Sequence, residues 1–350
     1  MLVNTDYLRD STEMNDDPFS DILQFTNAQT VVTGGFTLGG ALAIRFPAAG
    51  YIKFFAVLKG RSWLLMDALP APVCVETGDV ILISHRSAFV IATDPALEPV
   101  DAVTLFTNRS EKYMRIGDGE DLVQLGGKVK LDAASGGLLT DVLPPLIHVR
   151  AASPQAVQLQ WILRQLERER SAGLPGAGVA ATHLAQLMFV QILRAHLEEP
   201  AADFAPGWLR ALADTRIAPT LRLMHGDPAK AWQLEELAAS AAMSRTTFAL
   251  RFRTVAGVPP LTYLLNWRMR LAQRALREDG ASMAAIAQAV GYTSESAFSN
   301  AFKRVTGMAP KRYRDAARAA ADGISPDPKP APDAATAPPP SPRPPRRPRA

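Results

Sequence analysis

The stretch Ser244–Tyr263, SRTTFALRFRTVAGVPPLTY, returns fifty positions later as Ser294–Tyr313, SESAFSNAFKRVTGMAPKRY. Ser244, Phe248, Phe252, Arg253, Val255, Gly257, Pro260 and Tyr263 recur as Ser294, Phe298, Phe302, Lys303, Val305, Gly307, Pro310 and Tyr313. Just upstream the offset is forty-nine, pairing Leu237-Ala238 with Ile286-Ala287, Ala241 with Val290 and Met243 with Tyr292. A repeat of this kind is one supersecondary unit used twice.

Each copy reads as helix, tight turn, helix. In the second, Met283 to Val290 is a short helix ended by Gly291, which accepts the left-handed backbone of a sharp turn. Ser294 then suits the N-cap of the next helix. Phe298 and Phe302, four apart, face a core and leave Glu295, Ser296, Ser299 and Asn300 on or near the exposed side. This is the helix-turn-helix pattern, whose second helix enters a DNA major groove. In the first copy Ala242 stands where Gly291 stands in the second, so that turn is expected under some strain. Between the copies, Leu261 to Arg277 has no internal breaker and reads as one rod about 25 Å long. Such a rod could set two recognition helices about one DNA turn, roughly 34 Å, apart.

Working outward, the charge follows the repeat. The chain of 350 residues carries a formal +4, but residues 1–100 hold −5, 101–225 are neutral, 226–320 hold +7 and 321–350 hold +2. A compact basic segment on an acidic or neutral partner suits a nucleic-acid-binding domain. One cysteine, Cys74, excludes an intrachain disulfide and any zinc motif needing two thiolates, and a reducing cytoplasm is the expected setting. Met1 to Asp17 is acidic, without a basic patch ahead of an apolar run, so no secretory signal is expected. The apolar stretches Tyr51–Leu58 and Val179–Leu197 are broken by Lys53 and by His183, Gln186, Gln191, Arg194 and His196, so no membrane span is expected.

From Val31 to Ala92 short β-rich runs alternate with turn signals. Val31-Val32-Thr33 ahead of Gly34-Gly35, Ala41–Ile44, Ile52–Leu58, Ser62–Met66, Val73-Cys74-Val75 and Val80–Ile83 suggest a small barrel or sandwich. From Pro154 the period becomes helical. Val157, Trp161 and Leu166, beside Ile162 and Leu163, mark one apolar face, and Leu184, Leu187, Met188 and Ile192 a second. The two helices either close the barrel's core or form a dimer seam. Beyond Ile324 lie 11 of the 28 prolines and a run of arginines, a composition expected to stay disordered.

The repeat with its linking Trp267-Arg268-Met269, and Ile286-Ala287-x2-Val290-Gly291-Tyr292 ahead of Ala297-Phe298, resembles the DNA-binding domain of the AraC/XylS transcription regulators over about residues 213–320. The front half is similar to the cupin-type domain of one branch of those regulators, which includes reactive-chlorine-responsive activators. The similarity lies in Asp17-Pro18-Phe19-Ser20-Asp21-Ile22-Leu23, Ile52–Gly60, Gly78–Ile83 and Gln186–Val190. The implied architecture is multidomain α+β. Residues 1–16 form a disordered start, 17–150 a small cupin-like sensor β-barrel, 151–212 a helical connector and dimerisation region, 213–320 an all-α double helix-turn-helix, and 321–350 a disordered tail.

By that resemblance the recognition helices are Arg245–Arg253 and Glu295–Lys303. Base-edge positions are Thr246, Ala249 and Leu250 in the first and Glu295, Ser296, Ser299 and Asn300 in the second. Leu250 departs from relatives that carry a polar or basic residue there, which brings Arg245 and Arg251 forward as first-helix contacts. Glu295 can accept from cytosine N4, and Asn300 can pair bidentately with adenine. Ser244, Arg253, Ser294, Lys303, Arg304, Lys311 and Arg312 are expected at phosphates, which set register and carry no sequence information.

Phe55 and Phe89 stand where cupin relatives often have histidine. Two phenyl rings make a dry pocket wall rather than a metal site, so neither metal, cofactor nor catalysis is expected in the barrel. Lone His85 is expected at a surface or turn. Cys74 is expected as a buried small hydrophobe, which weighs against an oxidant sensor. The resulting expectation is a sequence-specific regulator of double-stranded DNA, dimeric, reading two successive major grooves. An activator is favoured, with RNA polymerase as partner and a small-molecule effector at the barrel. The alternative is a cupin-like metal enzyme or isomerase carrying a nucleic-acid-binding module.

Overall fold

In the computed structural model, residues 17–84, 86–106, 113–132, 135–199, 204–278 and 280–321 are described. The expectations for residues 1–16, His85 and the tail beyond 321 lie outside them. The chain enters through α1 (Pro18–Phe25), whose N-cap Asp17 accepts from the Phe19 amide and whose first residue is proline, a preorganised helix start. Among the described residues eleven strands follow: β1 (Gln29–Leu38), β2 (Ala43–Phe46), β3 (Ile52–Lys59), β4 (Arg61–Met66), β5 (Val73–Glu76), β6 (Val80–Ile83), β7 (Phe89–Ala92), β8 (Val100–Asp101), β9 (Tyr113–Ile116), β10 (Leu122–Lys130) and β11 (Leu146–Val149). Two short helices, α2 (Ala102–Phe106) and α3 (Gly137–Thr140), interrupt them.

The strands form a six-stranded sheet, β11-β6-β3-β10-β1-β9, against a five-stranded one, β5-β4-β7-β2-β8. Strand alternation divides β3 between two cores. Phe55 and Val57 point between the sheets, with Phe36, Ile81 and Phe89. Ile52, Phe54 and Ala56 point outward beneath the helices. That outer face is covered by α4 (Ala156–Ala172) and α5 (Ala177–Glu198).

Four sequence readings need correction. Gly34-Gly35 is no turn: β1 runs through both glycines, with a bulge between Val32 and Gly34. The buried face of α4 is Leu159, Ile162, Leu163 and Leu166, whereas Val157 and Trp161 are 66% and 45% exposed. A run of adjacent apolar residues has two possible helical faces, and the sheet chose the one carrying Leu159. On α5 Met188 and Ile192 are buried, but Leu187 is 40% exposed. Cys74 is half-buried rather than buried, because alternation on β5 gives the interior to Val75.

The remainder is helical. It comprises α6 (Trp208–Ala213), α7 (Ala218–Gly226), α8 (Leu234–Ser240), α9 (Arg245–Ala256), α10 (Pro260–Arg277), α11 (Met283–Ala289), α12 (Glu295–Thr306) and α13 (Pro310–Ala321). Two separate apolar cores lie here. One centres on Phe248 and Phe252 and the other on Phe298 and Phe302, all four fully buried. The rod α10 contributes Leu264 to the first core, Met269 and Leu276 to the second, and Trp267 to the barrel's outer core.

Candidate nucleic-acid interface and sensor cavity

The two helix-turn-helix units are built by the same local rules. In the first, α8 gives way to Ala242 in the left-handed region at φ 51°, and the Ser244 hydroxyl accepts from the Thr247 amide at 3.3 Å to start α9. In the second, Gly291 turns at φ 82° and Ser294 accepts from the Ala297 amide at 3.2 Å to start α12. Each recognition helix ends at a left-handed glycine, Gly257 or Gly307, whose amide donates to the carbonyl of Arg253 or Lys303. Within each helix the phenylalanine rings stand 5.7 Å apart and anchor one face. The opposite face is therefore left to solvent.

On α9, Thr246 and Leu250 are exposed and Ala249 is half-buried, with Leu250 at 69%. On α12, Glu295, Ser296 and Asn300 are exposed and Ser299 is half-buried. Two of the three arginines of α9 are already engaged. Arg245 pairs with Glu235 at 2.8 Å, and Arg251 meets Asp214 through Nη2 at 2.7 Å and through Nε at 3.0 and 3.4 Å. Arg253, Lys303, Arg304, Lys311 and Arg312 are exposed and form no ion pair among the described residues. The Ser244 and Ser294 hydroxyls are occupied as caps, and both residues are exposed.

A polar hub joins the front helix to this region. His225, at the end of α7, is wholly buried, with Nδ1 3.0 Å from Asp21 Oδ2 and Nε2 2.9 Å from the Tyr263 hydroxyl. Its ring stacks on Trp267 at 4.0 Å. Burial holds the imidazole below its ordinary range, while it pushes the Asp21 carboxyl and the Tyr263 hydroxyl up. A neutral imidazole meets both contacts, with Nδ1–H donating to Asp21 and Nε2 accepting from Tyr263. Two further ties run beside it: Trp208 Nε1 donates to the Leu138 carbonyl at 2.6 Å, and Arg277 meets Asp132 at 3.1 Å. The sequence reading missed this hub. Its readable signal is the Asp17-Pro18 helix start ahead of an apolar PFSDILQF run.

Inside the barrel a cavity of about 390 Å3 is lined by Phe55 and Phe89, the two positions singled out in the sequence, and by Lys53 and Lys128. Burial lowers the Lys53 ammonium to about 8. Strand alternation, which places Lys53 on the same face as Phe55, could have pointed to that lysine. Among the described residues no three His, Cys, Asp or Glu side chains cluster so as to hold a metal ion.

Family models match both parts of the chain. A cupin model matches residues 17–198 and a helix-turn-helix domain model matches 237–316. An AraC-like transcription regulator of Streptomyces lividans is 40% identical over 85% of this chain and 98% of its own length. One from Streptomyces antibioticus is 39% identical over the same shares. The chain belongs to the AraC family of transcription regulators. The regulator AlkR of Acinetobacter baylyi is also similar to this AraC-family chain, at 30% identity over 68% of it and 79% of AlkR. Among solved structures, the DNA-binding domain of AdpA in complex with a target DNA is 36% identical, covering 29% of this chain and 93% of that one, at a TM-score of 0.29. For this AraC-family regulator, double-stranded DNA is the partner of the helix-turn-helix region. No helix among the described residues is long and apolar enough to cross a membrane.

Proposed function

We propose that this regulator reads two successive major grooves with α9 and α12 and is switched by a small molecule in the barrel. The observation that carries the reading is the twin placement of capped, phenylalanine-anchored helices on the 18-residue rod α10, about 27 Å long. Thr246, Ala249 and Leu250 meet base edges from α9, and Glu295, Ser296, Ser299 and Asn300 do so from α12. Arg245 and Arg251 join them by leaving Glu235 and Asp214 for DNA. Ser244, Arg253, Ser294, Lys303, Arg304, Lys311 and Arg312 hold phosphates, the five basic ones being exposed and without ion pairs among the described residues.

The hub at Asp21, His225 and Tyr263 carries the barrel's state to the DNA-binding region, because α1, whose Phe19 and Ile22 pack in the barrel's outer core, is tied through it to α7 and α10. The exposed apolar side chains Val157, Trp161 and Leu187 support a homodimer through the connector helices. Activation through RNA polymerase is the favoured sign of regulation. Selection of bound sequences from a random DNA pool by the full chain, followed by footprinting, tests the core of the reading. Two protected tracts about 10 base pairs apart on one face are expected. A single tract, or no enriched sequence, would overturn it.

A further inference from the structure

The barrel cavity owes its room to missing side chains. Gly126 faces Phe55 across the β3–β10 ladder, and Gly34 lies opposite Gly126 on β1. A Cβ placed on Gly126 would meet nothing closer than 3.8 Å. The volume, about 390 Å3, falls in the roughly 300–1,000 Å3 range of small-ligand sites.

One wall is aromatic. Phe46 stacks on Phe89 at 5.0 Å and on Phe106 at 6.1 Å, and Phe106 meets Phe36 at 6.4 Å. Lys53 enters this wall with Nζ 4.8 Å from the Phe89 ring centre and 5.0 Å from that of Phe46. Lys128 is its direct register partner and lies over Tyr51 at 5.2 Å. Like charges directly opposite on one sheet face repel. No carboxylate among the described residues pairs with either lysine. Further along β10, Gln124 is 3% exposed; its Nε2 donates to Ser62 Oγ at 2.9 Å, and its Oε1 has no partner among the described residues. A donor group on a molecule in the cavity would satisfy this acceptor.

These features fix the sign and shape of an occupant. Ring faces attract cations, but Lys53 already covers those of Phe46 and Phe89, and a second cation would meet two ammonium groups. An anion relieves their repulsion instead. Lys128 and Gln124 lie on the same face four residues apart, about 13 Å along the strand, so the occupant is elongated.

We propose that the cavity binds an elongated, largely apolar aryl or alkyl carboxylate, its head between Lys53 and Lys128, its body along the phenylalanine wall and a donor group at Gln124. This deepens the reading of the barrel as a sensor and rests on it for any effect on DNA. Because burial lowers Lys53 to about 8, an anion that holds it charged draws in a proton when it binds above that pH.

The test is calorimetric titration of the full chain with 4-phenylbutanoate, 4-phenylbutanamide and 4-phenylbutylamine, one frame carrying negative, no and positive charge. The carboxylate is expected to bind about tenfold or more tighter than the amide, with the amine weakest. Lys53→Met should bring the carboxylate down to the amide, and Gly126→Leu should weaken the carboxylate and the amide alike by filling the cavity. Addition of a para-hydroxyl to the phenyl ring should tighten binding in the wild type and not in Gln124→Leu. Gly126→Ala, a smaller change, keeps the test open if the leucine variant does not fold. Equal affinities across the three probes, a carboxylate unmoved by Lys53→Met, or no carboxylate binding at millimolar concentration would overturn the ligand class. DNA selection without any probe reads the regulator assignment separately. An enriched operator with all three probes failing overturns only the ligand class. The expected charge order without any change in DNA binding supports the ligand class and overturns the sensor role.

Discussion

His225 Nδ1 lies 3.0 Å from Asp21 Oδ2, a buried contact between residues 204 positions apart in the chain. It joins the helix that precedes the barrel to the helix that precedes the first helix-turn-helix unit. Tyr263, on the far side of the same imidazole, belongs to the rod between the two recognition helices. Two hydrogen bonds and one ring stack thus link α1 to the DNA-binding half.

Asp21→Ala removes the acceptor and leaves a buried ring N–H without a partner, a loss of about 1–3 kcal/mol. For a chain of this size that lowers the melting midpoint by about 1–2 °C per kcal/mol. Asp21→Asn retains an acceptor oxygen and should recover part of the loss. Thermal melts of the three proteins check this, and equal midpoints would remove the hub from the account of stability.

Stability should fall as the pH drops from about 7 toward 5. His225 and His196 are both held below 6.5 by burial, so the unfolded chain takes up protons there that the folded chain refuses. The stability they contribute is present above 6.5 and is lost as pH falls through their folded values. Asp21, held above 3.8, acts in the opposite sense at the acid end of the range. Urea midpoints at several pH values should show a shallower slope for His225→Gln than for the wild type.

Asn300→Ala should relax the preference at one base position, because a bidentate contact with adenine contributes about 1–3 kcal/mol of discrimination. Lys303→Ala should weaken all sequences alike and reduce the salt slope by about one. Competition binding against specific and scrambled DNA separates the two, and equal losses on both for Asn300→Ala would refute its placement at a base.

Leu250 presents a large apolar side chain to solvent on the exposed face of α9. Apolar contact with a thymine methyl is the base readout open to it. Replacing one operator thymine by deoxyuridine should cost about 0.8 kcal/mol, roughly fourfold in affinity, and Leu250→Ala should abolish that difference.

The two turns should respond oppositely to exchange. Ala242→Gly relieves a left-handed alanine and should stabilise the chain by about 0.5–1 kcal/mol, the strain of about 1–2 less the entropy cost of glycine. Gly291→Ala adds the same strain and also drives a Cβ to 2.4 Å from the Ala229 carbonyl oxygen. Chemical denaturation of both variants reads the two signs.

Much of the DNA-binding half was legible because its determinants are local. The serine caps, the paired phenylalanines four apart, the left-handed position at Ala242 and Gly291 and the unbroken rod all act within about one helical turn of their own residues. Their consequences could be read without knowing what packs where. The barrel was legible only as a class. β1 runs through Gly34-Gly35 because β10 pairs with it on one side and β9 on the other, and neither partner is adjacent in sequence. Which face of α4 is buried was likewise settled by the sheet beneath it, since Val157 and Trp161 are as apolar as the residues that won.

What the sequence by itself determined is therefore the pair of capped, phenylalanine-anchored helices, the charge segregation that accompanies them and the two phenylalanines in the barrel wall. Only the tertiary structure decided that Lys53 faces Lys128 over an open cavity, that Arg251 is held by Asp214, and that Asp21, His225 and Tyr263 meet. Local propensity and periodicity reach a few residues along the chain. Contacts across tens to hundreds of residues arise from sheet register and core packing, which no stretch of sequence carries alone.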